Sequence, residues 1–393
     1  MRKLLLATTA CALTATGAFA EDVKLGILIG FTGPIESLTP SMAAAAEAAI
    51  AEVNASGLFL NGSTLTGIRA DSTCGDAAVA QTAAEKLVTS DKVSGIVGAD
   101  CSGVTGAVLQ NVAIPNGIPM ISPSATSPAL STVEDKGLFF RTAPSDAREG
   151  EIAVEIMKDK GVKSFAMTYT NNDYGKGLAD AIAASAAAAG LTVTINAAHE
   201  DGKADYSAEV GALASAGGDI LVVAGYLDQG GLGIIKAALD TGAFTTFELP
   251  GGMIGDSLPV NVGAGLEGSY GQVAGSDSPG MAILDGMAAG GYDVNSAYTS
   301  ESYDAAALFA LAMQAAGSSN PADYASKIME VANAPGEKIM PGELAKGLQL
   351  LKDGVDIDFE GATAVELIGP GESAGRYREI VVKDGKNETV GFR

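Results

Sequence analysis

The chain has 393 residues, with 47 Asp and Glu against 24 Lys and Arg, for a formal net charge of −23. That balance disfavours nucleic acid and anionic membrane surfaces as partners, and it leaves small solutes open. The length points to two domains rather than one.

Residues 1–20 read as an export signal. Arg2 and Lys3 are a charged start, residues 4–13 are an apolar run too short to span a membrane, and Ala18-Phe19-Ala20 is a small-x-small cleavage site. The expected mature protein begins at Glu21 in the periplasm, with 373 residues and a net charge of −25 once Arg2 and Lys3 are gone. Cleavage also removes Cys11 and leaves Cys74 and Cys101, 27 positions apart. An even count in an oxidising compartment predicts a disulfide between them. The pair is not CxxC, so its expected role is structural.

The mature chain opens with an apolar run over 23–30, expected as a buried strand, and an Ala-rich helix over 41–54. Strands at 64–73, 95–98 and 118–122 alternate with helices at 77–89 and 105–114. This alternation with short Gly, Pro and Asn connections is the pattern of a parallel sheet covered on both faces. The pattern restarts with helices at 147–160, 174–189, 206–216 and 230–241, and strands at 164–169, 191–197, 219–224 and 247–249. A further strand is expected over 268–275, helices at 280–289, 302–316, 322–331 and 342–352, and two antiparallel edge strands within 375–393. The expected fold is α/β, two doubly wound parallel-sheet lobes with several crossovers between them. Clefts between such lobes are the usual ligand sites.

Ser102 ends the strand over 95–98. It reads either as an ordinary helix N-cap or as the edge of a cradle for an anionic group, since open α/β sheets hold ligands outside the carboxyl ends of their strands. Gly263-Ala264-Gly265-Leu266-Glu267-Gly268 matches the dinucleotide fingerprint, but a strand rather than a helix is expected after it. Gly371-Glu372-Ser373-Ala374-Gly375 matches a nucleophile elbow, but no helix and no histidine follow. The single histidine, His199, reads as a surface residue near a strand end, and Asp201 and Asp205 as part of a solvated turn. No catalytic constellation, cofactor loop or metal cluster emerges, and a binding protein is expected rather than an enzyme.

A set of segments then stands out: Gly33-Pro34; Cys101-Ser102; Ser122-Pro123-Ser124-Ala125-Thr126; Phe140-Arg141-Thr142; and Asn172-Asp173-Tyr174-Gly175-Lys176-Gly177. Together they resemble the periplasmic leucine/isoleucine/valine-binding family, the substrate-binding components of branched-chain amino-acid ABC importers. The resemblance implies a type I periplasmic-binding fold with a multi-strand hinge near residues 143, 273 and 357. One lobe would hold 21–143 plus 273–357 and the other 144–272 plus 358–393.

The resemblance also implies site residues. Ser102 and Thr126 would hold a ligand carboxylate, with Ser124 and the backbone of Ala125 beside them, and Tyr174 and Tyr226 would close from the other lobe. Two positions depart from the family: Leu38 stands where a tyrosine lines the side-chain pocket, and Gly251 where an acidic residue pairs with the ligand ammonium. Asp256 is the first candidate to replace that acid, with Glu36 and Asp304 behind it. The implied partners are a small amino acid or similar carboxylate and an inner-membrane permease, with the protein a monomer and no cofactor. The alternative is a sensor for an amide or a non-α-amino carboxylate that feeds a receptor.

Overall fold

The computed structural model describes residues 20–289 and 291–393. The expected signal segment therefore lies outside the described residues, apart from Ala20. Two seven-stranded sheets organise the rest.

The first sheet uses β1 (Asp22–Ile29), β2 (Thr64–Asp71), β3 (Gly95–Gly98), β4 (Met120–Ser122) and β5 (Phe139–Pro144). The second uses β6 (Ser164–Thr170), β7 (Thr192–His199), β8 (Ile220–Ala224), β9 (Phe247–Leu249) and β10 (Tyr270–Ala274). A small pair is formed by β11 (Glu337–Ile339) and β12 (Ile357–Phe359). The remaining strands are β13 (Leu367–Ile368), β14 (Glu372–Ser373), β15 (Tyr377–Lys383) and β16 (Lys386–Phe392).

Each sheet repeats one parallel order. It runs β5-β4-β3-β1-β2 in the first and β10-β9-β8-β6-β7 in the second. Continuous apolar runs such as Leu25–Ile29 fit this arrangement, because helices cover both faces. The order reverses direction between β1 and β3 in one lobe and between β6 and β8 in the other. In open α/β sheets that switch point is where a crevice forms outside the carboxyl ends of the strands.

The expected elements are present with ends shifted by a few residues, except that the helix expected over 322–331 is two short helices, Pro321–Tyr324 and Lys327–Val331. The lobe boundaries differ more. β13 and β14 pair with each other, and β14 pairs with β5, so residues 367–373 extend the first sheet. The third crossing therefore falls between Ser373 and Tyr377, not near 357. β10 runs to Ala274 within the second sheet, so the second crossing lies just beyond 273. The two short edge strands escape periodicity because each is two residues long and a Gly369-Pro370-Gly371 turn separates them. His199 is also corrected: it is buried and bonds the Thr168 hydroxyl through Nδ1 at 2.8 Å, with burial lowering its pKa to about 4. Asp201 is half-buried, accepting from Thr170 and from Gly230 N–H.

Cys74 and Cys101 form the expected disulfide, which ties the loop after β2 to the end of β3. The helix Thr299–Ala316 is buried on every side up to Gln314 and packs against the helix Thr39–Ser56. In the second lobe the helices Asp146–Asp159 and Asp173–Ala189 cross at Gly150. A Cβ there would lie 2.8 Å from the Ala181 carbonyl carbon, so the crossing requires glycine.

One core residue carries an electrostatic penalty. Glu248 in β9 has no exposure, and neither carboxylate oxygen has a hydrogen-bond partner. Burial, with repulsion from Glu149, pushes its carboxyl from the ordinary 4.5 up to about 8. The folded protein therefore holds this proton between pH 4.5 and 8 while the unfolded chain has lost it, so stability falls as pH rises through that window. Glu248→Gln should raise the melting temperature, with no gain below pH 4.5 and a gain on the order of 3 kcal/mol by pH 7. Thermal melts of both proteins from pH 4 to 9 check this; a pH-independent difference would refute it.

Candidate ligand-binding site between the lobes

The two switch points face each other. From the first lobe come Ile35 and Leu38 in the loop after β1, Asp100, Cys101 and Ser102 after β3, Ser124 after β4, and Tyr298. From the second come Tyr174 after β6, Tyr226 after β8 and Gly252 after β9. Together they line a narrow cavity of about 20 Å³, room for roughly one water molecule in this closed arrangement.

Ser102 begins the helix Ser102–Val108 but does not cap it. Its Oγ instead accepts the Ser127 N–H at 3.0 Å, and its own proton remains free to be donated into the cavity. This corrects the N-cap reading. The Ser124 hydroxyl donates to the Asp100 carbonyl at 2.9 Å. Both backbone groups of Ala125 are engaged within the protein: its N–H donates to Ser122 Oγ and its carbonyl accepts from Arg141. Thr126 is buried, and its hydroxyl has no partner.

Arg141 in β5 fixes this loop. Its Nη1 donates to the carbonyls of Ala125 and Ser127, each at 3.0 Å, and its Nη2 pairs with Glu372 at 2.5 Å. Asp100 ties three strand ends together beneath the cavity. It accepts from Gly30 N–H at 2.7 Å and from the Ser72 hydroxyl at 2.6 Å, and burial raises its pKa.

On the opposite wall the Tyr174 and Tyr226 rings stack at 5.1 Å. Tyr174 Oη accepts the Gly252 N–H at 3.0 Å. Beside the cavity the lobes are joined directly. Ser37 N–H donates to Asp228 Oδ2 at 2.9 Å, and Asp228 N–H donates to the Pro34 carbonyl at 3.1 Å. Ser257 completes this contact by donating to Asp228 Oδ1 at 2.7 Å. The lobes are thus closed over the cavity.

The structure places Ser102, Ser124, Tyr174, Tyr226 and Leu38 on one cavity, and Thr126 and Gly251 immediately beside it. It does not bring the three expected acids there. Asp256 is exposed and lines an outer hollow beyond Leu38. Glu36 is exposed and accepts the Gly33 N–H within its own turn. Asp304 is buried and tied to Ala362 N–H and Thr363.

Several residues near the site were not anticipated, among them Ile35, Gly252, Asp100, Tyr298, Asp146 and Glu149. Asp146 and Glu149 occupy the first turn of the helix Asp146–Asp159, where acids are common because they complement the helix dipole. That ordinary pattern conceals any other role. Tyr298 gives no sequence signal at all.

The model of the periplasmic binding protein family matches residues 22–343. The chain belongs to this family. It is 32% identical over 339 residues to the Leu/Ile/Val-binding protein homolog 1 of Brucella abortus, covering 84% of this chain and 89% of that protein. It is also 32% identical over 234 residues to the Leu/Ile/Val-binding protein BraC3 of Rhizobium johnstonii, covering 58% of this chain and 62% of that relative's length. The fold matches a leucine-binding protein from Thermotoga maritima with a TM-score of 0.79 at 20% identity, over 94% of this chain and 98% of that one. Family members are solute-binding proteins, not enzymes. Among the described residues, no helix is long and apolar enough to cross a membrane.

Two outcomes follow from these contacts. Arg141→Met should cost about 3–5 kcal/mol in denaturant unfolding, because it strands the half-buried Glu372 and two carbonyls. A loss below 1 kcal/mol would show that the guanidinium is not what holds the 125–127 loop. Asp228→Ala should open the ligand-free protein, seen as a larger radius of gyration in X-ray scattering. An unchanged radius would refute the bridging role of Asp228.

Proposed function

We propose that this protein is the substrate-binding component of an ABC importer. It takes a branched-chain or related small aliphatic amino acid into the interlobe cavity and delivers it to a membrane permease. The export signal read from residues 1–20 supports a periplasmic location. The observation that carries the proposal is the cavity itself: hydroxyls of Ser102 and Ser124 on one lobe face the stacked Tyr174 and Tyr226 on the other.

The chemistry fits an amino-acid carboxylate. Neutral hydroxyl donors hold an anion without a buried cation to oppose them, and closure removes the competing water. Ser102 is the residue most directly poised, because its proton is uncommitted. Ile35 and Leu38 supply an apolar wall for an aliphatic side chain. An open form would admit the ligand, and closure about the three crossings would enclose it and present a surface for the permease to read.

A thermal-shift panel of aliphatic amino acids, their keto-acid counterparts and small amides tests this. Leucine, isoleucine or valine should stabilise the protein by about 4 kcal/mol at a thousandfold excess over Kd. Ser102→Ala should weaken that ligand roughly 10- to 100-fold, the worth of one hydrogen bond to a charged group. If no carboxylate-bearing compound shifts the melt, the proposal fails. A shift by amides alone would favour the sensor alternative.

A further inference from the structure

An amino acid enclosed between these lobes brings an ammonium into a dry site, and an unpaired buried ammonium is very costly. Gly251 cannot supply the partner. A Cβ built at Gly251 would lie 2.6 Å from the Tyr298 hydroxyl, so an acidic side chain has no room there.

The other buried acids are already occupied or remote. Asp100 spends its two oxygens on Gly30 N–H and Ser72. Asp304 spends its own on Ala362 and Thr363. Glu301 accepts from Ser300, and Glu248 lies within the strand β9.

Two acids remain, one helical turn apart. Asp146 has no exposure, and neither of its oxygens has a hydrogen-bond partner. Glu149 is 1% exposed; its Oε1 accepts from Gly251 N–H at 2.8 Å and from the Gln272 amide at 3.1 Å, and its carboxyl lies against that of Asp146, so that burial and mutual repulsion favour holding a proton on the pair. Both Glu149 oxygens lie 3.6 Å from the point where a Gly251 Cβ would stand. The Tyr298 hydroxyl, which belongs to the cavity wall, flanks that same point. A single phenol thus separates the cavity from the pair.

A separate observation points to a ligand here. The Thr126 hydroxyl is 2% exposed and unpartnered, and it stands close enough to Asp146 to favour the charged carboxylate, although no hydrogen bond of ordinary geometry closes between them. A hydroxyl and a pair of interacting carboxyls, of which Asp146 receives no donor, converge beside the cavity.

We propose that Asp146 and Glu149, with the Thr126 hydroxyl, bind the ligand ammonium, taking over from the Gly251 position the role of ion partner. This rests on the amino-acid reading above. Ligand entry displaces the Tyr298 phenol, whose hydroxyl no hydrogen bond fixes among the described residues. Asp146 and Glu149 pull the ammonium toward the second lobe while Ser102 pulls the carboxylate toward the first, so only a ligand bearing both charges bridges the lobes.

Calorimetric titration with L-leucine and with 4-methyl-2-oxopentanoate, which keeps the carboxylate and side chain but lacks the ammonium, tests the pair. The wild-type protein should prefer leucine by at least about 100-fold. Glu149→Gln and Asp146→Asn should each weaken leucine on the order of 100-fold and leave the keto acid unchanged or tighter, which erases the preference. Ligand-free melts of the same variants should match or exceed the wild type, because burial makes each carboxyl costly to ionise when no ligand is present. Wild-type affinity for leucine in both variants overturns the pair while leaving the amino-acid reading intact. Equal wild-type affinity for leucine and the keto acid overturns it without any variant, which covers the case in which neither variant folds. Failure of the wild-type protein to bind any aliphatic amino acid removes the reading itself, and this inference with it.

Discussion

The guanidinium of Arg141 is the interaction on which the site depends. It sits at the end of the first lobe's sheet, nearly without exposure, and its hydrogen bonds go to three different pieces of chain. Two of them shape the 125–127 loop. A third goes to the Ser131 hydroxyl, and the fourth, to Glu372, draws a distant segment onto the first sheet. A planar cation with donors fixed in a fork can satisfy all of these at once, which a lysine cannot. The binding edge and the position of the third crossing thus share one cause.

Around that cation the buried charge is strongly one-sided. Asp100, Asp146, Glu149, Glu248, Glu301 and Asp304 are all buried, against Arg141 and Arg378. Some of these acids repay their burial with backbone N–H and hydroxyl donors, as Asp100 and Asp304 do. Others do not, and they cluster around the second lobe's contribution to the cleft. A protein that keeps such groups gives up stability for something, and carboxyls that burial holds toward the neutral form gain an ion partner when a ligand with a positive end arrives. The stacked tyrosines add apolar walls that keep the local dielectric low and so strengthen that attraction.

Much of this was legible in the sequence. The β-α alternation, the restart near residue 147 and the Cys74–Cys101 pairing follow from periodicity, breakers and cysteine counting. Ser102 was legible as a strand-end hydroxyl, although its partner proved to be Ser127 N–H across the sheet edge, which no local pattern encodes. The two-residue strands β13 and β14 were invisible because they contain no period to detect, and their pairing is set by Arg141 over 200 residues away in sequence. Asp146 and Glu149 were hidden differently: an acid in a first helical turn already has an ordinary explanation. Tyr298 reaches the cavity only because the first lobe's late helix returns beneath it. Distance in sequence, not weakness of chemistry, set the limit.

The path of the chain has one further consequence, for the order in which the protein can be assembled. The second sheet is completed by β15 and β16, within residues 377–392, and the first sheet waits for β13 and β14, within 367–373. Neither lobe has all its strands until Ser373 has been made, so the usual sequence of an N-terminal domain maturing first is unavailable. Long-range strand pairings of this kind also close slowly. Such a chain stays threadable until those late strands exist, the state in which a polypeptide can pass through a narrow pore before it folds on the far side.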